Sequence, residues 1–145
     1  MIPEEANYQR TMKRDVEPYL RSYEKDGYIE SYDKTAIYYR TYRIPQAKAG
    51  IVISHGFCEF AEKYKEVIYY FLKNGYSVYV PEHRGHGYSD RIVVDGEKVH
   101  IEDYEQYVQD LHFFVNNVVE LTEKRRILFC HSMGGAIGVR YLEEF

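Results

Sequence analysis

Cysteine is scarce in this 145-residue chain, long apolar runs are absent, and the N-terminus has no cationic stretch leading into an apolar one. Each absence excludes something. Two cysteines are too few to staple a small secreted fold, so a reducing, cytoplasmic setting is the expectation. No apolar run approaches the ~20 residues needed to cross a bilayer, which argues against an integral membrane protein. Met1-Ile2-Pro3-Glu4-Glu5 does not read as a secretory signal. The net charge of −4 argues against nucleic acid or an anionic membrane as partner. Repeats and low-complexity tracts are also missing.

What remains is an ordinary globular composition, 45% hydrophobic and 29% charged, in a length suited to one domain. A chain of this size buries roughly 68–70% of its unfolded surface, enough for a real core. The 17 tyrosines are spread throughout and read as amphipathic packing.

The pattern along the chain changes once. Residues 1–26 form a polar lead-in, predicted helical from about Asn7 to Lys25 because Tyr8, Met12, Val16 and Leu20 recur near helical spacing. Pro18 is expected to kink or divide it. Tyr28–Tyr32 and Thr35–Arg43 read as an antiparallel hairpin turning at Asp33-Lys34. From there strands and helices alternate. Gly50–Ser54, Tyr76–Val80 and Ile127–Cys130 are short apolar runs of the kind buried on both faces of a sheet. Between and after them, Phe60–Leu72, Tyr104–Val119 and Gly134–Phe145 carry helical patterns, the first closed by Asn74-Gly75. Alternation of this kind implies an α/β fold with a parallel sheet, residues 27–145 forming its single core.

Three polar motifs fall directly after the three buried strands, where open α/β sheets bind ligands. They are Ser54-His55-Gly56-Phe57-Cys58-Glu59, Pro81-Glu82-His83-Arg84-Gly85-His86-Gly87-Tyr88-Ser89, and Cys130-His131-Ser132-Met133-Gly134-Gly135. In the third, a serine stands between a strand and a helix, as in the G-x-S-x-G turn that presents a nucleophile, with Cys130 in place of the first glycine. Such a turn is tight and strained, so its neighbours must be small, which Gly134 and Gly135 satisfy. Helix-terminal N–H groups would face negative charge developing at Ser132. His55 reads as a histidine satisfied by nearby backbone, and His131 as packing, its side chain turned away from Ser132. His83, Arg84 and His86 invite a metal or phosphate reading, but no carboxylate or cysteine set completes a site. No metal or other cofactor is expected.

Taken in this order, the motifs resemble the α/β-hydrolase family, in particular its bacterial lysophospholipase and monoacylglycerol-lipase-like branch, over the N-terminal half of such an enzyme. The resemblance implies a serine hydrolase acting through an acyl-enzyme on Ser132 and a small lipid or ester as substrate. It places the oxyanion-hole donors at the backbone N–H groups of Phe57 and Met133, with Gly56 allowing close approach. It makes the His83–Ser89 segment, with Gly85 and Gly87, a loop that braces the site. It also makes the first and third buried strands neighbours, bringing Cys58 and Cys130 to the same end of the sheet, where a disulfide is conceivable but not expected.

In this fold the acid and the base follow the serine in the chain. The residues after Ser132 include Glu143 and Glu144 but no histidine. The expectation is therefore a core cut short after the nucleophile helix, inactive by itself, with an unpaired strand at 127–130 open to self-association. Other acyl-cleaving activities on the same framework, as carboxylesterase or peptidase, and a catalytically silent binding or assembly module are the alternatives.

Overall fold

Strands β3 (Gly50–Ser54) and β4 (Ser77–Pro81) are buried at every position. Their alternate side chains feed two separate cores, because successive residues of a strand point to opposite faces. Ile51, Ile53, Val78 and Val80 pack on one face with Ile68 and Leu72 of α3 (Lys65–Lys73). Val52 and Tyr79 pack on the other with Val108, Leu111 and Phe114 of α4 (Glu105–Phe114) and Ile137 of α5 (Met133–Glu144). This is a computed structural model, and it describes residues 5–96 and 98–145. The first residues of the predicted lead-in, and residue 97 in the predicted polar loop, lie outside it.

The sheet has five strands in the order β1-β2-β4-β3-β5. β1 (Glu24–Glu30) and β2 (Ala36–Tyr42) form the hairpin, and β2 runs antiparallel to β4. β3 is parallel to both β4 and β5 (Arg126–Cys130), so β3 and β5 end side by side, with Ser54 opposite Cys130.

Several boundaries differ from the sequence reading. The lead-in helix ends at Arg21, and β1 starts already at Glu24, because Glu24, Lys25 and Asp26 pair with Tyr42, Thr41 and Arg40. Charged residues on an exposed edge strand hide that pairing from any apolar pattern. The lead-in is interrupted as Pro18 requires. A π-helical turn (Met12–Val16) separates α1 (Tyr8–Thr11) from α2 (Glu17–Arg21), which carries Pro18 in its first turn. Val16 and Leu20 are nevertheless buried in the α3-side core. The helix read from Phe60 begins as a 3-10 turn (Ala61–Tyr64), and α4 runs on into a π turn (Val115–Val119).

β5 is the larger correction. Its sequence predicts burial on both faces, yet Ile127 is exposed and Leu128, Phe129 and Cys130 are half-buried. The reason is position: β5 is the last strand of the sheet, and among the described residues nothing pairs with its outer edge.

Candidate active site

Between Cys130 at the end of β5 and Met133 at the start of α5, the chain must reverse within His131 and Ser132. Ser132 achieves this at φ +52° and ψ −121°, a conformation that costs a residue with a side chain ~1–3 kcal/mol. Hydrogen bonds hold the turn in place. His131 N–H donates to Ser54 O (3.1 Å), Gly134 N–H to His131 O (2.9 Å) and Gly135 N–H to Ser132 O (2.8 Å). Ser132 itself is exposed.

The small neighbours of the serine are not equivalent. Gly134 is pressed onto the carbonyls of Ser54 and His55, and any Cβ there would overlap them. A Cβ at Gly135 would meet nothing within 4 Å, so packing does not demand glycine there, contrary to the sequence reading. His131 also departs from expectation. Its side chain is 59% exposed and hydrogen-bonds through Nδ1 to Glu59, so it does not pack.

β3 delivers the first motif to the same place. Gly56 lies so close to the serine turn that a side chain on it would come within 3.2 Å of Ser132 Cβ and 3.0 Å of His131 Nδ1. The next residues, Phe57 and Cys58, form an exposed turn in which Cys58 has φ +56°. Among the described residues no acceptor takes the N–H of Phe57. The N–H of Met133, first in α5, has no acceptor within the helix. Both thiols, Cys58 and Cys130, are free.

The second motif, after β4, lies behind the first. His55 is fully buried; its Nδ1–H donates to Gly56 O (2.8 Å), leaving Nε2 to accept from His83 N–H (2.9 Å). His83 Nε2 in turn meets Ser54 Oγ at 3.2 Å. Burial pushes His55 down to about 4, and drives His83 well below the usual imidazole value, where neighbouring His55 and His86 add to the effect. Both rings are thus neutral, and His55 bridges the Gly56 carbonyl and the His83 N–H. His86 rests edge-on against Phe57 with ring centres 5.6 Å apart and bonds Arg84 O through Nδ1 (3.1 Å), while its buried Nε2 has no partner among the described residues.

Arg84 points elsewhere. It forms two 2.6 Å bonds to the buried carboxylate of Asp110 on α4 and one of 2.9 Å to Asp33 in the hairpin turn. Gly85 and Gly87 turn the loop at φ +78° and +50°. A cleft of about 290 Å³ beside Arg84, lined also by Asp33, Lys34, Arg91 and His100, contains none of the serine-turn residues. Among the described residues no group of histidine, cysteine and carboxylate side chains is arranged to hold a metal.

Sequence reasoning assigns no role to two carboxylates that the fold places here. Glu82 is fully buried and accepts from Ala61 N–H (3.0 Å) and Tyr88 N–H (2.8 Å), in the space a Gly87 side chain would take. Glu59 accepts from Gly56 N–H, Tyr64 Oη and His131 Nδ1. Burial opposes its charge, but the bonds from Tyr64, Gly56 and His131 prevail and hold the carboxyl down to about 2. The available signal was an acidic residue in each of these two motifs, Glu59 three positions after Gly56 and Glu82 three before Gly85.

A strained serine at a strand–helix turn, with a glycine loop from the adjacent strand against it, has the geometry of a nucleophile turn. The family model described as serine aminopeptidase, S33, matches residues 45–144. The chain belongs to this family, Hydrolase_4, among the α/β-hydrolases. It is 35% identical over 95 residues to lysophospholipase L2 of Escherichia coli, covering 65% of this chain and 28% of the relative. It is 36% identical over 100 residues to a monoacylglycerol lipase of Mycolicibacterium smegmatis, covering 66% and 34%. The chain thus spans about a third of the length of these curated relatives. Among solved structures, a carboxyl esterase of Bacillus coagulans superposes with a TM-score of 0.69 at 23% identity, over 81% of this chain and 39% of that one. The fold is accordingly part of an α/β-hydrolase fold. No described helix is long and apolar enough to cross a membrane.

Proposed function

We propose that Ser132 is the nucleophile of an ester hydrolase whose substrate is a monoacylglycerol, a lysophospholipid or a similar carboxylic ester. The observation that carries this reading is the strained conformation of exposed Ser132 at the head of α5, directly against Gly56. In this scheme the serine oxygen attacks the ester carbonyl, and the alcohol leaves as the acyl group is transferred to Ser132. The N–H groups of Phe57 and Met133 receive the oxyanion, and water then releases the acid. The relatives named lysophospholipase and monoacylglycerol lipase support the substrate class.

The triad order of this fold puts the acid and the histidine after the nucleophile, and residues 133–145 contain no histidine. His55, His83 and His86 are buried in the bracing loops, and His131 is bonded to Glu59. Without a base a serine is a weak nucleophile, so we read these 145 residues alone as inactive. Labelling by a fluorophosphonate probe, in the longest form of the protein that contains this sequence, tests the reading. Modification at Ser132, lost in Ser132→Ala, is the expected result; no modification there would overturn it. The description of the matching family favours a second reading, cleavage of a peptide amide. Turnover of an aminoacyl p-nitroanilide in preference to a monoacylglycerol would put that reading first.

A further inference from the structure

Two loops must converge for the proposed oxyanion hole to exist, and the backbone does little to hold them together. The β3–β5 pairing ends at Ser54 and Cys130, and past it, among the described residues, the backbone hydrogen bond between the two loops is His131 N–H to Ser54 O. The strained Cys58 follows Phe57 immediately, in an exposed turn. A site of this kind needs its donors fixed to within about 0.5 Å. Something other than the sheet has to fix them.

We propose that Glu59 is a positioning residue that fastens the Gly56-Phe57 segment to the serine turn and so keeps the two oxyanion donors in register. The inference rests on Ser132 being the nucleophile. A single oxygen, Oε2, accepts from three separate pieces of the fold. It takes Gly56 N–H at 2.8 Å from the loop after β3, and Tyr64 Oη at 2.6 Å from the 3-10 turn before α3. It also meets His131 Nδ1 at 3.1 Å, the residue just before the nucleophile. Tyr64 is buried and provides the fixed post, while His131 is mostly exposed and owes its place to the contact. Hydrogen bonds to a charged acceptor are about twice as strong as neutral ones. Glu59 N–H closes the turn by donating to Gly56 O at 3.3 Å, so Glu59 bonds the N–H of Gly56 through its carboxylate and the carbonyl of Gly56 through its backbone. With Gly56 wedged between Glu59, His131 and Ser132, moving this carboxylate moves the peptide that carries the Phe57 donor.

The test compares Glu59→Ala and Glu59→Gln with the wild type in the longest available form, using two readouts. The first is the rate of fluorophosphonate labelling at Ser132. The second is the ¹H–¹⁵N spectrum, followed at the Gly56, Phe57 and Met133 amides. Glu59→Ala is expected to slow labelling about 100-fold, as loss of one oxyanion donor does. The Gly56 amide proton should move upfield and the Phe57 signal broaden, with resonances of the β3 and β4 cores unmoved. Glu59→Gln keeps an acceptor oxygen for Gly56 and should recover most of the rate. Wild-type labelling in Glu59→Ala overturns the proposal. So does slowed labelling that follows general unfolding while the Gly56 amide of the folded population stays in place. If the wild type itself does not label, the nucleophile reading fails, and the Gly56 and Phe57 amides still decide whether Glu59 holds the loop.

Discussion

The thiol of Cys130 fills the space that a side chain at Gly138 would need: a Cβ there would lie 2.5 Å from Cys130 Sγ and 3.0 Å from Leu128. The substitution of cysteine for the first glycine of the serine turn is therefore accommodated one turn into α5. Gly138→Ala should destabilise the fold by about 1–3 kcal/mol through overpacking, although alanine is the better helix former. In the double variant Cys130→Gly/Gly138→Ala most of that loss should disappear. Urea unfolding of the four species as a double-mutant cycle measures the coupling, and strictly additive effects would contradict the packing relationship.

Ser132 pays for its exposure with backbone strain, and the strain is measurable. Ser132→Gly is expected to unfold at higher denaturant than the wild type, with a gain of about 1 kcal/mol. Ser132→Ala keeps a Cβ at φ +52° and should show no such gain. Equal stabilities of the glycine and alanine variants would mean that the turn holds no such strain.

Arg84 and Asp110 form a buried pair, each 4% exposed, that ties the histidine loop to α4. Burial pushes the Asp110 carboxyl up, against the opposing effect of its bonds from Arg84 and Ser31. Removing Asp110 takes away two of the three bonds to the buried Arg84 guanidinium and leaves Asp33 as its carboxylate partner. Asp110→Ala should therefore lower stability by about 3–5 kcal/mol, read from the denaturant midpoint. A loss below 1 kcal/mol would show that Asp33 and solvent suffice to compensate Arg84 in the variant.

Acid should weaken the fold in two stages. Burial lowers His55 to about 4, so the unfolded chain takes up its proton first. The stability linked to neutral His55 is complete above about pH 6.5 and is lost as the pH falls to 4, by about 3 kcal/mol. His83 acts in the same direction. Glu59 and Asp33 follow. Both are partly buried, yet their hydrogen bonds hold them at about 2, so their contribution, complete above about pH 4.5, fades as the pH approaches 2. A urea midpoint that stays flat from pH 7 to 4.5 would contradict the first stage.

The outer edge of β5 should be adhesive. Ile127 is 46% exposed on it, and Val139 and Leu142 of α5 are exposed as well. Unpaired apolar edges recruit other strands, so the isolated chain is expected to elute from a sizing column as larger species. Ile127→Lys should shift it toward monomer. A monodisperse wild-type monomer would count against the edge as a site of association.

Much of the frame was legible in the residues. The apolar runs of β3 and β4 have the composition of doubly buried strands, and the motifs after them and after β5 mark the loop ends. That β3 and β5 are neighbours came through the family resemblance and is what the sheet contains. Other features were not legible, for separate reasons. The start of β1 is charged because it is an edge strand, so its pairing with β2 leaves no apolar trace. The exposure of β5 depends on what lies beside it, which its own five residues do not encode.

The sequence by itself determined the serine, its strand–turn–helix setting and the order of the three loops, because these rest on local spacing and on glycine's conformational freedom. Tertiary structure alone decided which small residues are indispensable. Gly134 is held against the carbonyls of Ser54 and His55, Gly138 against the Cys130 thiol, and Gly135 against nothing within 4 Å. It also decided that Glu59 and His131, 72 residues apart, meet beside Ser132. A hydrogen bond over that separation is set by how β3 and β5 pair and where their loops cross, and no local pattern carries that information.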